Sequence, residues 1–73
     1  MTLRKVGSNM TELTLPNAIV LFSYSTPVAA HIGAGFVRTN KKWSNTTSKH
    51  INKWLAGANA AEVEQEFLNQ LVK

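Results

Sequence analysis

Residues Ala18 to Tyr24 read Ala-Ile-Val-Leu-Phe-Ser-Tyr. The run is β-branched and aromatic with little polar alternation, which marks a central strand covered on both faces, or on one face plus a helix. Immediately upstream, Pro16-Asn17 supplies a fixed φ followed by a residue that tolerates the left-handed region, a tight-turn signal. Before that turn, Thr11 to Leu15 alternate polar and apolar, as an exposed strand does. Downstream, Ser25-Thr26-Pro27 is expected to break the run, after which Val28 to Ile32 resumes an extended pattern. Gly33-Ala34-Gly35 then provides the backbone freedom for a hairpin into Phe36 to Thr39. These signals predict an antiparallel meander of three to four strands, preceded by a flexible N-terminal segment at residues 1–10.

Beyond Asn40 the hydrophobic period changes from two to about three and a half, the mark of a strand-to-helix switch. Ser44, Thr46 and Thr47 are good N-cap residues and Gly57 suits a left-handed C-terminal cap, which predicts a helix from about Thr47 to Ala56. Ile51, Trp54 and Leu55 share its apolar face, while Lys49, Asn52 and Lys53 lie on the other. Asn59-Ala60-Ala61-Glu62 carries the spacing of a capping box, so an acidic C-terminal helix is expected over residues 58–73. Its stripe of Ala60, Val63, Phe67 and Leu71 is either packed on the sheet or mobile, because a helix of roughly thirteen residues is marginal alone. The fold class that follows is α+β: a small antiparallel β-meander over 11–57, one short helix packed on it, and that C-terminal helix.

The chain has 73 residues, too few for a second domain, and its 44% hydrophobic content argues for a folded core. There is no cysteine, hence no disulfide framework and no thiolate chemistry. All four acids are glutamates, and neither His31 nor His50 has a local acid at a spacing that would orient its ring. Two isolated histidines among scattered glutamates match no usual metal-ligand spacing. Gly33-Ala34-Gly35 lacks the Lys-Ser/Thr of a phosphate loop. The expectation is a non-enzyme without cofactor or metal. No apolar run follows Arg4-Lys5 as in a signal peptide, and Ala18 to Phe22 is far too short to span a bilayer, so a cytoplasmic protein with no membrane role is expected.

The formal charge of +4 is unevenly distributed. Residues 1–57 hold Arg4, Lys5, Arg38, Lys41, Lys42, Lys49 and Lys53 against Glu12, whereas residues 58–73 hold Lys73 against Glu62, Glu64 and Glu66. The densest part, Arg38 to Lys53, contains no acid, and its core KKWSNTTSKHINKW interleaves lysines with Trp43 and Trp54. That composition suits either nucleic-acid phosphates or an acidic protein surface. The alternative for the tryptophans is that both are core. A helix-turn-helix reading fails on sign, since its second helix would carry three glutamates towards the phosphates. The seven cations of residues 1–57 are therefore the candidate partner-binding residues, and an exposed sheet edge near the N-terminal segment can accept a strand from a partner.

The run VLFSYSTPVAAHI, the glycine-containing turn, FVRTNKKWS and TTSKHINKWL, together spanning about Val20 to Leu55, resemble a family of very small bacteriophage proteins. Size, charge and lack of cysteine are also similar to the small transcription regulators of lytic Xanthomonas phages, which bind the N-terminal region of the β′ subunit of host RNA polymerase. The resemblance implies a regulator that inhibits σ-dependent initiation and promotes antitermination in the host cytoplasm, assisted by the host factor NusA; the chain in isolation is expected to be a monomer. Two other classes stand beside it: a nucleic-acid-binding module using Lys41 to Trp54, and an inhibitor of another host enzyme.

Overall fold

The computed structural model describes residues 2–72. The expected central strand is present as β3 (Ala18–Ser23), paired on one side with β2 (Met10–Leu15) and on the other with β4 (Thr26–Ile32), both antiparallel. Val20 and Leu21 are both fully buried although successive side chains leave a strand on opposite faces, so β3 is covered from both sides.

The fold is a six-stranded mixed sheet with two helices, which corrects the expected three-to-four-strand meander. In space the strands follow chain order, from β1 (Thr2–Gly7) through β2, β3, β4 and β5 (Gly35–Thr39) to β6 (Ala60–Val63). Residues 1–10 were expected to be a flexible segment. Instead Thr2–Gly7 pairs antiparallel with β2 across a turn at Ser8-Asn9, where Asn9 adopts φ 60°, a conformation asparagine tolerates better than most residues.

The run does end before Pro27, with β3 closing at Ser23 and a turn at Tyr24-Ser25, but β4 begins earlier than expected and takes in Thr26 and Pro27. The register shifts between Leu21↔Ala29 and Phe22↔Pro27, leaving Val28 as an extra residue on β4. A bulge is where a residue without an N–H donor can sit inside a sheet. Tyr24, at the turn before β4, has φ 59° and donates its backbone N–H to the Asn9 carbonyl at 2.8 Å, joining the first and third hairpin turns.

After β5 the chain forms α1 (Asn45–Leu55) and returns as β6, parallel to β5, with Phe36↔Ala60 through Thr39↔Val63 in register. The residues expected to open the C-terminal helix are thus a strand. The exposed edge of β5 offers Ala60 to Val63 inter-strand hydrogen bonds, and these outweigh the capping-box signal of a short, weakly nucleated helix. The helix that follows, α2 (Gln65–Leu71), is correspondingly shorter than expected and is packed on the sheet through Leu68, which is fully buried. Lys73, the last residue of the expected helix, lies outside the described residues.

The two helices cover opposite faces. Ile51 and Leu55 of α1 pack with Met10, Leu21, Val28 and Ala29, with Phe36 and Trp54 at the margin. Leu68 packs with Leu13, Ala18, Val20, Ala30 and Val37 on the other face. Three thin layers in so short a chain leave each helix dependent on one or two buried anchors.

Candidate partner-binding face

The face formed by α1 begins with its cap. Ser44 is extended at φ −167°, and its Oγ accepts the Thr47 backbone N–H at 3.1 Å, satisfying one of the orphan donors of the first turn. At the other end Ala56 is left-handed and its N–H returns to the Asn52 carbonyl at 3.1 Å, with Gly57 continuing at positive φ. Ser44→Ala should therefore cost about 1 kcal/mol of stability, read as a lower urea midpoint at unchanged slope.

Side chains also lock α1 to β3. Ser23 is only 2% exposed, and its hydroxyl lies 2.8 Å from His50 Nδ1 and 3.3 Å from Thr47 Oγ1. With Ser23 enclosed in the core and Glu12 committed elsewhere, this Ser–His pair acts as a clamp between helix and sheet and not as an accessible nucleophile. On the same face Trp54 donates its indole N–H to Glu12 Oε2 at 2.9 Å and meets Phe36 edge-on, the ring centroids 5.7 Å apart. Phe36 in turn contacts His31 at 4.7 Å. His50 is thus a half-buried packing residue, whereas His31 is exposed on β4 with its ring against Phe36.

A rigid helix with an acid-free outer surface results. Asn45, Thr46, Lys49, Asn52 and Lys53 are exposed on α1, and Lys41 and Lys42 are exposed in the loop that leads into it. Arg38, on β5 beneath the helix, donates to Asn52 Oδ1 at 3.3 Å, while its Nε is buried with no partner. Arg38 stands between a cavity of about 200 Å³ shared with Lys41, Lys42 and Trp43 and one of about 410 Å³ reaching Gly57 to Ala60. Glu62, opposite Arg38 in the parallel ladder, makes no ion pair with it; the one ion pair among the described residues is Arg4–Glu12 at 3.4 Å.

The seven candidate cations separate into two groups. Arg38, Lys41, Lys42, Lys49 and Lys53 gather around α1. Arg4 and Lys5 lie on β1, at the opposite edge of the sheet, and alternate to opposite faces. Of the two tryptophans, Trp54 lines the core as expected, whereas Trp43 is 42% exposed, with Lys41 Nζ over its ring at 4.1 Å and its N–H bonded to Gln65 Oε1. The sequence reading did not find Glu12 as the acceptor of Trp54, because forty-two residues separate them. The one available signal was the polar alternation of Thr11 to Leu15, which puts Glu12 on a defined face.

Fold and charge together give a small two-faced domain, with five of its cations gathered around α1 and Glu64 and Glu66 at α2. Residues 1–70 match the Family of unknown function (DUF8033), and the chain belongs to that family. No curated protein and no solved structure matches it. Among the described residues no helix is long and apolar enough to cross a membrane, and no group of three or more His, Asp or Glu side chains is placed to hold a metal ion.

Proposed function

We propose that this chain is a non-enzymatic phage regulator that docks through the α1 face on an acidic surface of host RNA polymerase, in the host cytoplasm. The observation that carries the reading is the array of Lys41, Lys42, Lys49 and Lys53 on and beside a helix that has no acidic residue of its own and is capped and clamped by Ser23 to the sheet, with Glu62 of β6 as the acid at its margin. Preformed charged surfaces of this kind raise association rates and select oppositely charged partners. The polymerase, its β′ subunit N-terminal region and the participation of NusA come from the resemblance to the phage regulators, which also supplies the effect: inhibition of σ-dependent initiation and promotion of antitermination.

The test is capture from nuclease-treated host lysate on the immobilised chain. Polymerase core should be retained by the natural sequence and reduced at least about tenfold by Lys49→Glu with Lys53→Glu, two exposed changes that leave the buried face of α1 intact. Retention of another host enzyme in its place would move the protein to the inhibitor class. The exposed Trp43 with Lys41 and Lys42 beside it favours one further reading, phosphate-backbone binding. In that case oligonucleotide affinity falls steeply and linearly with the logarithm of salt, and tryptophan fluorescence changes on binding. A flat response removes that reading.

A further inference from the structure

We propose that the outer edge of β1, with the apolar groove beside it, receives an extended segment of a partner chain in which acidic and apolar residues alternate, adding a seventh strand to the sheet. The proposal does not rest on the α1-face reading, since β1 lies at the far edge of the sheet from β5 and the loop entering α1.

Three observations converge on this edge. First, β1 is six residues long, pairs with β2 on its inner side only among the described residues, and has Thr2 to Lys5 all exposed. A free strand edge of that length is a template for pairing unless something guards it. The other edge, β6, has four residues and runs directly into α2, so it offers fewer bonds. Second, the α2-side face is uncovered next to β1. Helix α2 sits over β4, and a groove of about 430 Å³ remains, lined by Leu3, Leu13, Phe22, Tyr24 and Val72. Leu3, at 66% exposure, stands between this groove and the edge, so an added strand with an apolar side chain opposite Leu3 would extend the apolar layer.

Third, the charge on the edge selects the occupant. In an antiparallel pairing of two β1 strands that keeps like faces together, the longer registers set Arg4 against its own copy or Lys5 against its own copy. Like charges directly opposed destabilise a sheet, so these residues guard the edge against a second copy of the same strand. They do not guard it against an acidic strand. Glu12 satisfies Arg4 only loosely, at 3.4 Å with the Arg4 side chain 70% exposed, so in an alternating strand whose apolar residues meet Leu3 the carboxylates fall on the Arg4 face, while Lys5, without an acidic partner among the described residues, adds long-range attraction. Main-chain bonds would give such a complex its affinity, and the alternating side chains its specificity.

The test uses the intact isotope-labelled chain and two synthetic peptides of equal length, one alternating glutamate with leucine and the other alternating lysine with leucine. The acidic peptide should bind at least about tenfold more tightly, slow hydrogen exchange within Thr2–Gly7 and shift the resonances of Leu3, Leu13 and Phe22. The amides around Lys49 and Lys53 should not move, and Lys49→Glu with Lys53→Glu should bind the peptide unchanged, which separates this edge from the α1 face. Arg4→Glu with Lys5→Glu should invert the preference between the peptides. Lys5→Glu alone, which keeps the Arg4–Glu12 contact, should narrow it. Equal affinities, no binding, or protection that appears at β6 would overturn the proposal. So would self-association of the chain that protects β1 without peptide, an outcome that assigns the edge to a second copy.

Discussion

Leu68→Ala should lower the unfolding free energy by about 3 kcal/mol, from a total of roughly 4 to 11 kcal/mol for a domain of this size. Leu68 is the one fully buried residue of α2 and enters a pocket made by Leu13, Val20, Ala30 and Val37. With seven residues, α2 has little stability of its own, so its order depends on that anchor. The hydrogen bonds of Gln65 to the Pro27 carbonyl at 2.7 Å and to Asn69 are too few to hold it otherwise. Urea denaturation gives the magnitude, and hydrogen exchange gives the location: protection should fall across Gln65–Leu71 before it falls in α1. A loss below about 0.5 kcal/mol, in the range of ordinary surface changes, would show that α2 is not docked in solution.

Leu21→Ala should cost more, about 4 kcal/mol, and lower the thermal midpoint by roughly 20 °C. Leu21 lies on β3 in the middle of the sheet, is fully buried, and packs in the cluster that includes Ile51 and Leu55 of α1. Its neighbours on the bulge, Val28 and Ala29, are equally buried and belong to backbone that the register shift already constrains, so the cavity cannot collapse easily. The loss should also be felt at the proposed docking face, because α1 is held by this cluster. Circular dichroism against temperature reads the midpoint. The fluorescence of Trp54, at the edge of the same cluster, should report unfolding in one transition.

The central part of this fold was legible because its signals are local. The AIVLFSY run, the Pro16-Asn17 turn and the amphipathic α1 each follow from residues within a few positions of one another. What sequence reading missed depends on pairing between distant segments. Residues Thr2–Gly7 include Arg4, Lys5 and Gly7 and look like a tail, yet β2 needs a neighbour and the Ser8-Asn9 turn supplies the reversal. Ala60–Val63 carries a helix-start pattern, yet β5 offers it a parallel partner. Ser25-Thr26-Pro27 reads as a break and β3 does end before it, but the bulge at Val28 lets β4 start at Thr26 and take in Pro27.

The candidate site was legible to a similar depth. Counting charge located Arg38 to Lys53, and α1 gathers those five residues around one helix as the period implied. Arg4 and Lys5 had the same sign, but their place at the far edge follows from strand order, which charge counting does not contain. Trp43 and Trp54 look alike in sequence. They differ because Trp54 lies at the edge of the helix's buried face, three residues after Ile51, while Trp43 precedes the cap and turns outward to Gln65.

The most direct test of the central claim is the resonance footprint of the labelled chain titrated with purified host RNA polymerase core. The account predicts selective broadening along Lys41, Lys42, Lys49, Asn52 and Lys53, a loss of that footprint with Lys49→Glu and Lys53→Glu, and little change on α2. A footprint centred on Glu64 to Leu71, or no broadening at concentrations where the core is in excess, would contradict it.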